Sequence, residues 1–133
     1  MFSTYSQFIE MACQQAEPQR LLFVLAKVQL PKDATPEQKA RFEQGEGGYL
    51  ESVLCVDKLP EEVRDFAAFV EESKQTELDW DLAFISSMEG RAGFAPNSDE
   101  AVQPLKLMVQ RIEAGQVVNF LAVNKQGELL QFQ

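Results

Sequence analysis

Apolar residues occupy both faces of the segment Arg20–Leu30, RLLFVLAKVQL. One face carries the alternating residues Leu22, Val24, Ala26, Val28 and Leu30. The opposite face is apolar as far as Leu25 and turns polar at Lys27 and Gln29. A strand that is apolar on both faces is packed on both sides, so this pattern predicts a buried, central strand.

Hydrophobic periodicity predicts four helices and four further strands around this strand. Helices are expected at 4–16, 36–44, 60–75 and from Asn97 or Ser98 to Gly115. In the helix 60–75, the residues expected to face the core are Val63, Phe66, Ala67 and Val70. Strands are expected at about 50–57, 80–88, 117–124 and 128–132, the last two joined as a hairpin.

The order of these elements predicts the fold class. It indicates one α/β (or α+β) domain over residues 1–133, with a mixed sheet of four to five strands, about four covering helices and a C-terminal β-hairpin. Alternating strands and helices favour parallel strands joined by right-handed crossovers. The connection 31–49 is mostly loop, so the second strand could instead run antiparallel to the first.

Composition argues against several kinds of catalysis. The chain of 133 residues has no histidine, which removes Ser-His-Asp and Cys-His catalysis and the commonest transition-metal ligand. Its two cysteines, Cys13 and Cys55, are expected to be buried thiols without a disulfide. No cofactor motif is present. We therefore expect no cofactor, no metal site and no catalytic residue, and we lean towards a protein that is not an enzyme.

The N-terminus lacks the pattern of a secretory signal, and no apolar run approaches the ~20 residues that cross a membrane. These features predict a cytoplasmic protein without membrane association. The formal net charge is −9, and the segment 59–82, with eight acidic and two basic residues, contributes −6 of it. Such a surface repels phosphate backbones, so we expect no nucleic-acid binding.

The acidic segment supplies a candidate docking face on the predicted helix 60–75. Its outward carboxylates are expected to be Glu61, Glu62, Asp65 and Glu72. They suit a protein partner with a basic surface. The alternative is a solvated helix face that only aids solubility.

Two glycine loops, 45–48 and 89–98, are candidate ligand sites. Their residues of interest are Gly45, Gly47, Gly48, Gly90, Arg91, Gly93 and Ser98. Arg91 and the following helix N-terminus would attract anions. The glycine spacing matches neither the P-loop nor the dinucleotide fingerprint, and an irregular, flexible loop is the alternative.

Two groups of charged residues are weaker candidates. Asp57 and Lys58, at the end of the second strand, could transfer a proton. Glu77, Asp79 and Asp81 could bind a divalent cation through carboxylate oxygens. Solvated charges are the alternative for both groups, since the trio lacks the spacing of a calcium loop.

Three stretches resemble a family of small bacterial proteins without an established function. They are EPQRLLFVLAKVQLP at 17–31, ATPEQKARFEQGEGGYL at 34–50 and CVDKLPEEV at 55–63. Members sometimes carry the label "ribonucleotide reductase subunit alpha". That label implies a long barrel enzyme with a radical-bearing cysteine and a redox cysteine pair. A chain of 133 residues with two cysteines is too short and too poor in cysteine for it, so we expect the family but not the activity.

Together these features favour a non-catalytic protein-binding or regulatory module. The alternative is a small-molecule or anion-binding protein, or a small enzyme, that uses the glycine loops 45–48 and 89–98. A flat or apolar exposed patch would favour the module. A deep polar pocket between the two loops would favour the alternative.

Overall fold

The computed structural model describes residues 4–44 and 47–130. These residues form four α-helices, one short 3₁₀-helix and five strands. In chain order the elements are α1 (Tyr5–Cys13), β1 (Gln19–Gln29), α2 (Pro36–Glu43), β2 (Tyr49–Lys58), the 3₁₀-helix (Pro60–Val63), α3 (Phe66–Lys74), β3 (Leu82–Glu89), α4 (Ser98–Glu113), β4 (Leu121–Asn124) and β5 (Leu129–Leu130). The predicted fold class and the C-terminal strand pair are confirmed. The predicted strand 128–132 extends past the described residues.

The five strands form one sheet in the order β2-β1-β3-β4-β5, and every pairing in it is antiparallel. The expected mixture of strand directions is therefore wrong, and the α+β form of the fold class is adopted. A parallel crossover needs a helix that covers the sheet, and α2 buries none of its residues. β2 and β3 do run in the same direction, but β1 lies between them.

β1 is the central strand, as its pattern predicts. Its residues from Leu21 to Ala26 are all buried. Leu21, Phe23 and Leu25 pack against α1 and α3, and the intervening residues pack against α4. The two faces of the sheet are therefore the α1–α3 face and the α4 face. From Lys27 onwards β1 is only half-buried, because the covering layers end there.

The predicted helix 60–75 is two elements, the 3₁₀-helix and α3. The carboxylate of Asp65 accepts hydrogen bonds from two N–H groups of the first turn of α3, so a new helix begins there. As a result Phe69 faces the core, and the centroid of its ring lies 4.8 Å from that of Phe23. Ala67, in contrast, is exposed. The expectation that Ala67 is buried is wrong, because the cap interrupts the period counted from the 3₁₀-helix.

Of the described helices, α4 is the one that packs on the second face of the sheet, and Val117 after it joins the same cluster. α4 is one continuous helix with Pro104 inside it, and its buried residues are Ala101, Leu105, Met108 and Ile112. The flank of α4 next to β3 remains open, with the Leu107 side chain exposed. One helix is narrower than five strands, so this face is only partly covered.

Cys13 and Cys55 are free thiols that belong to opposite faces of the sheet. Cys13 is half-buried on the α1–α3 face, while Cys55 lies opposite Val24 on the α4 face and is exposed. The expectation that both are buried is wrong. The reason is the position of β2 at the edge of the sheet, where none of its residues is buried.

Candidate functional site

The two glycine loops lie at opposite ends of β1. The N–H of Gly90 donates to the carbonyl of Pro18, just before β1, in a hydrogen bond of 2.8 Å. A side chain at Gly48 would meet the carbonyl of Gln29, at the other end of the strand. With a rise of about 3.3 Å per residue, these ends are roughly 35 Å apart. The loops therefore do not share a pocket; Gly45 lies outside the described residues.

Each loop borders its own cavity. The cavity beside Gly47 and Gly48 has a volume of about 210 Å³, and that beside Gly90 and Arg91 has about 300 Å³. The first is lined mainly by apolar atoms and the second mainly by polar atoms. The joint polar pocket expected for a small-molecule function is not formed.

The centre of the loop 89–98 is a tight turn, not the irregular loop that the sequence predicts. Arg91 and Phe94 exchange two backbone hydrogen bonds of 2.9 Å. The two residues between them, Ala92 and Gly93, have φ of 52° and 82°. Positive φ at both central positions is typical of a type I′ hairpin turn. The N–H of Gly93 donates to the carboxylate of Glu17 at 2.8 Å. The turn presents Phe94 and the side chain of Arg91 to solvent.

The N-terminus of α4 is already occupied by side chains of this chain. Asn97 and Glu100 form a capping box, and Asp99 adds a second carboxylate to the first turn. The hydroxyl of Ser98 donates to the carboxylate of Asp57 at 2.7 Å. The caps satisfy backbone donors and the carboxylates repel negative charge, so this helix start is not an open anion site.

Asp57 and Lys58 do not form an acid–base pair, because successive residues of a strand point to opposite faces. Asp57 lies on the α4 face, where Nη1 of Arg20 approaches its Oδ2 to 2.6 Å. Lys58 lies on the α1–α3 face and its Nζ is 3.0 Å from Oε1 of Glu72. Both side chains are held in ion pairs.

The carboxylate of Asp79 pairs with two lysine ammonium groups, so it is not free to bind a divalent metal ion. It lies 2.8 Å from Nζ of Lys125 and 3.0 Å from Nζ of Lys27, and these hydrogen bonds lower the pKa of Asp79 to about 2. The neighbouring carboxylate of Asp81 accepts the N–H of Val28 at 2.8 Å. These carboxylates therefore join β1 and the β4–β5 turn to the entry of β3.

All four carboxylates of the candidate docking face are exposed. Three of them also have local partners. Asp65 caps α3, Glu62 accepts the N–H of Leu59 at 2.8 Å, and Glu72 pairs with Lys58. The fourth carboxylate, that of Glu61, makes no hydrogen bond or ion pair with any described residue. The acidic surface is present, but most of its carboxylates also hold local structure.

An apolar groove of about 230 Å³ lies between β2 and α3, beside this acidic surface. Its floor is formed by Leu25, Leu54, Val56 and Phe69. Its rim is polar and includes the Lys58–Glu72 ion pair and Gln75. We call these residues, together with the outer side of β2, the β2–α3 surface.

Within the described part of the chain, β2 is one of the two edges of the sheet and pairs only with β1. A bulge at Val53 interrupts this pairing, since Leu54 lies opposite Leu25 and Ser52 opposite Ala26. Beyond the bulge, 54–58 is a regular stretch whose alternate side chains face the groove. Sequence reasoning missed the groove because it did not place β2 at an edge. The charged residues Glu51, Asp57 and Lys58 within β2 were the available signal, since the part of a strand that is covered on both faces is apolar.

Comparisons of the chain with protein-family models, with curated proteins and with solved structures gave no match. The resemblance to the small bacterial family therefore stays a prediction. Across residues 4–44 and 47–130, no helix has the length and apolarity to cross a membrane. In the same part of the chain, no three His, Cys, Asp or Glu side chains are grouped as ligands for a metal ion.

Proposed function

We propose that this protein is a non-catalytic, regulatory module of the cytoplasm that binds another protein through the β2–α3 surface. The main support is the apolar groove beside an exposed edge strand. The partner is expected to carry a basic surface.

The β2–α3 surface has the composition of a protein-binding site. Leu54 and Val56 are only half-buried, so their outer sides remain open to a partner. The groove has an apolar floor and a polar rim, which is the arrangement found in protein interfaces. A partner that covers the floor removes apolar surface from water, which stabilises the complex, and the rim supplies polar contacts.

Charge selects the class of partner. The 3₁₀-helix and α3, with the linking residues between them, expose the carboxylates of Glu61, Glu62, Asp65, Glu71 and Glu72. The exposed cations of this segment are Arg64 and Lys74, and Lys74 is paired with Glu71 at 2.9 Å. Complementary potentials raise association rates and exclude like-charged partners. A basic protein surface is therefore favoured over an acidic one or over nucleic acid.

The small-molecule alternative has less support. It required a pocket shared by the loops 45–48 and 89–98, and these loops lie at opposite ends of β1. The β2–α3 surface requires no such shared pocket, because its strand and helix are already in contact.

The test uses a labelled lysine–valine peptide with the repeat valine, serine, lysine, serine, which places valine and lysine in turn on one face of a strand. Its counterpart has glutamate in place of lysine, and binding is measured by fluorescence anisotropy at low and moderate salt. The lysine peptide is expected to bind in a salt-sensitive manner, and the glutamate peptide is not. The double variant Glu61→Gln, Glu72→Gln should weaken binding roughly threefold to tenfold, from two exposed charge contacts.

The matched control is Glu37→Gln, Glu43→Gln on α2, which removes the same charge from two other exposed positions. It should leave the affinity unchanged. Equal weakening by the two double variants would show general charge attraction and would reject the docking surface. Absence of binding by the lysine peptide at low salt would reject it as well.

A further inference from the structure

We propose that the partner binds as an added β-strand, pairing its main chain with residues 54–58 of β2 and placing an apolar side chain against the groove. This inference rests on the proposed function and specifies its binding mode. The occupant is an extended segment that presents an apolar residue and then a basic residue to the face that carries Val56 and Lys58.

Unpaired main-chain groups at the edge of the sheet support strand addition. β2 has ten residues, and among residues 4–44 and 47–130 it pairs only with β1, so alternate N–H and C=O groups on its outer side have no strand partner in this part of the chain. Extended peptides commonly bind by completing such an edge, because main-chain hydrogen bonds supply affinity independently of sequence.

The bulge limits the length of strand that can be added. Regular pairing is interrupted at Val53, and the N–H of Ser52 is directed to the carboxylate of Glu113 on α4 at 3.4 Å. A bulge bends a strand and protects an edge against indefinite pairing. The open and regular stretch is therefore 54–58, which suits a short segment rather than a long hairpin.

Side-chain alternation gives the chemistry of the segment. Leu54, Val56 and Lys58 share the α1–α3 face, and an added strand would place every second residue beside them. An apolar residue beside Val56 would extend the floor of the groove. The next residue on that face would lie near the carboxylate of Glu72, whose side chain is 59% exposed and has one ion pair. A basic residue fits that position.

A second copy of this chain fits the edge less well than a basic segment. Pairing β2 with its own copy would bring together two chains with a formal net charge of −9 each. It would also bring the acidic α3 surfaces of both copies close to the pair of strands that joins them. Charge complementarity therefore favours a basic partner of different sequence.

The experiment compares the lysine–valine peptide with two backbone-N-methylated forms, methylated at alternate residues in opposite phases. One phase blocks the peptide edge that faces β2, and the other blocks the edge that faces solvent. One form should therefore lose more than tenfold in affinity, while the other binds as the parent does. Amide hydrogen exchange at 54–58 should slow when the parent peptide binds.

A groove variant provides a second measurement. Gln75→Trp places an indole on the rim of the groove, and it should weaken binding of the parent peptide more than tenfold. Gln103→Trp, on the exposed side of α4, is the matched control and should have no effect.

Several outcomes would overturn strand addition while leaving the proposed function intact. One is that both N-methylated forms bind equally, and another is that amide exchange at 54–58 does not change when the peptide binds. In both cases binding would still depend on Glu61 and Glu72. If amide exchange at 54–58 becomes slower as the protein concentration rises without peptide, the edge binds a second copy of the chain, and the proposal of a basic partner strand is overturned. Loss of the dependence on Glu61 and Glu72 would instead reject the proposed function.

Discussion

Nη1 of Arg20 lies 2.6 Å from Oδ2 of Asp57, and this ion pair joins the start of the central strand to the end of the edge strand. The two side chains are only 14% and 19% exposed. Arg20 also donates through Nε to the carbonyl of Pro96, and Asp57 accepts the hydroxyl of Ser98. The pair therefore fastens β1 and β2 to the start of α4.

Removing one partner of this pair should be costly. Asp57→Ala leaves a largely buried guanidinium without its carboxylate, so we expect the free energy of unfolding to fall by about 2 kcal/mol. Urea denaturation measures it. The exposed loop variant Asp33→Ala is the control and should change stability by less than about 0.5 kcal/mol. If both variants unfold at the same urea concentration, the ion pair contributes nothing to stability.

The central strand should not tolerate a charge. Val24 is fully buried, so Val24→Asp places an unpaired carboxylate in the core and should lower the free energy of unfolding by more than about 3 kcal/mol. Val118→Asp is the matched control, because Val118 is 70% exposed. Thermal melting followed by circular dichroism compares the two. A Val24→Asp variant that melts with the parent would contradict the central position of β1.

The buried indole N–H of Trp80 depends on one hydroxyl. It donates to Oγ of Ser73 at 3.0 Å, and that hydroxyl donates to the carbonyl of Val70 at 2.6 Å. Ser73→Ala leaves a buried donor unsatisfied and should cost about 1–3 kcal/mol of stability. The fluorescence of the single tryptophan follows unfolding directly. Ser6→Ala, at an exposed position of α1, should be neutral, and an equal effect of both changes would rule out this hydrogen bond as the cause.

Stability should depend on pH through Asp79. Its folded-state pKa is lowered to about 2 from 3.8, first by Lys125 and then by Lys27. A group with a depressed folded-state pKa stabilises the fold above its unfolded pKa, so this contribution is present above about pH 4 and is lost as pH falls towards 2. Carboxyl titration by NMR should show a higher pKa for Asp79 in Lys125→Met. Lys106→Met, on the exposed side of α4, should leave it unchanged; an unchanged pKa in both variants would exclude Lys125 as the cause.

The two thiols should differ in reactivity. Cys55 is exposed on β2 and Cys13 is half-buried on α1, so a maleimide reagent should label Cys55 first. Bound lysine–valine peptide should slow the labelling of Cys55 and leave that of Cys13 unchanged. Mass spectrometry of timed samples measures both rates. Faster labelling of Cys13 would contradict the greater exposure of Cys55, and equal slowing of both thiols would contradict binding of the peptide at the β2 edge.

The sequence by itself determined the features that depend on near neighbours. The apolar residues on both faces of Arg20–Leu30 were sufficient to identify the central strand, because side-chain alternation records burial on each face. The start of the helix predicted at 36–44 is likewise a local feature, since Thr35 and Gln38 form a capping box around Pro36 and lie only three positions apart.

Tertiary structure decided the features that depend on distant segments. Strand direction, the edge position of β2 and the separation of the loops 45–48 and 89–98 follow from which strands pair across long connections. Local periodicity carries no information about that pairing. The groove between β2 and α3 has the same origin: Leu25, Leu54 and Phe69 are far apart in the chain and form one floor only when the antiparallel sheet brings them together.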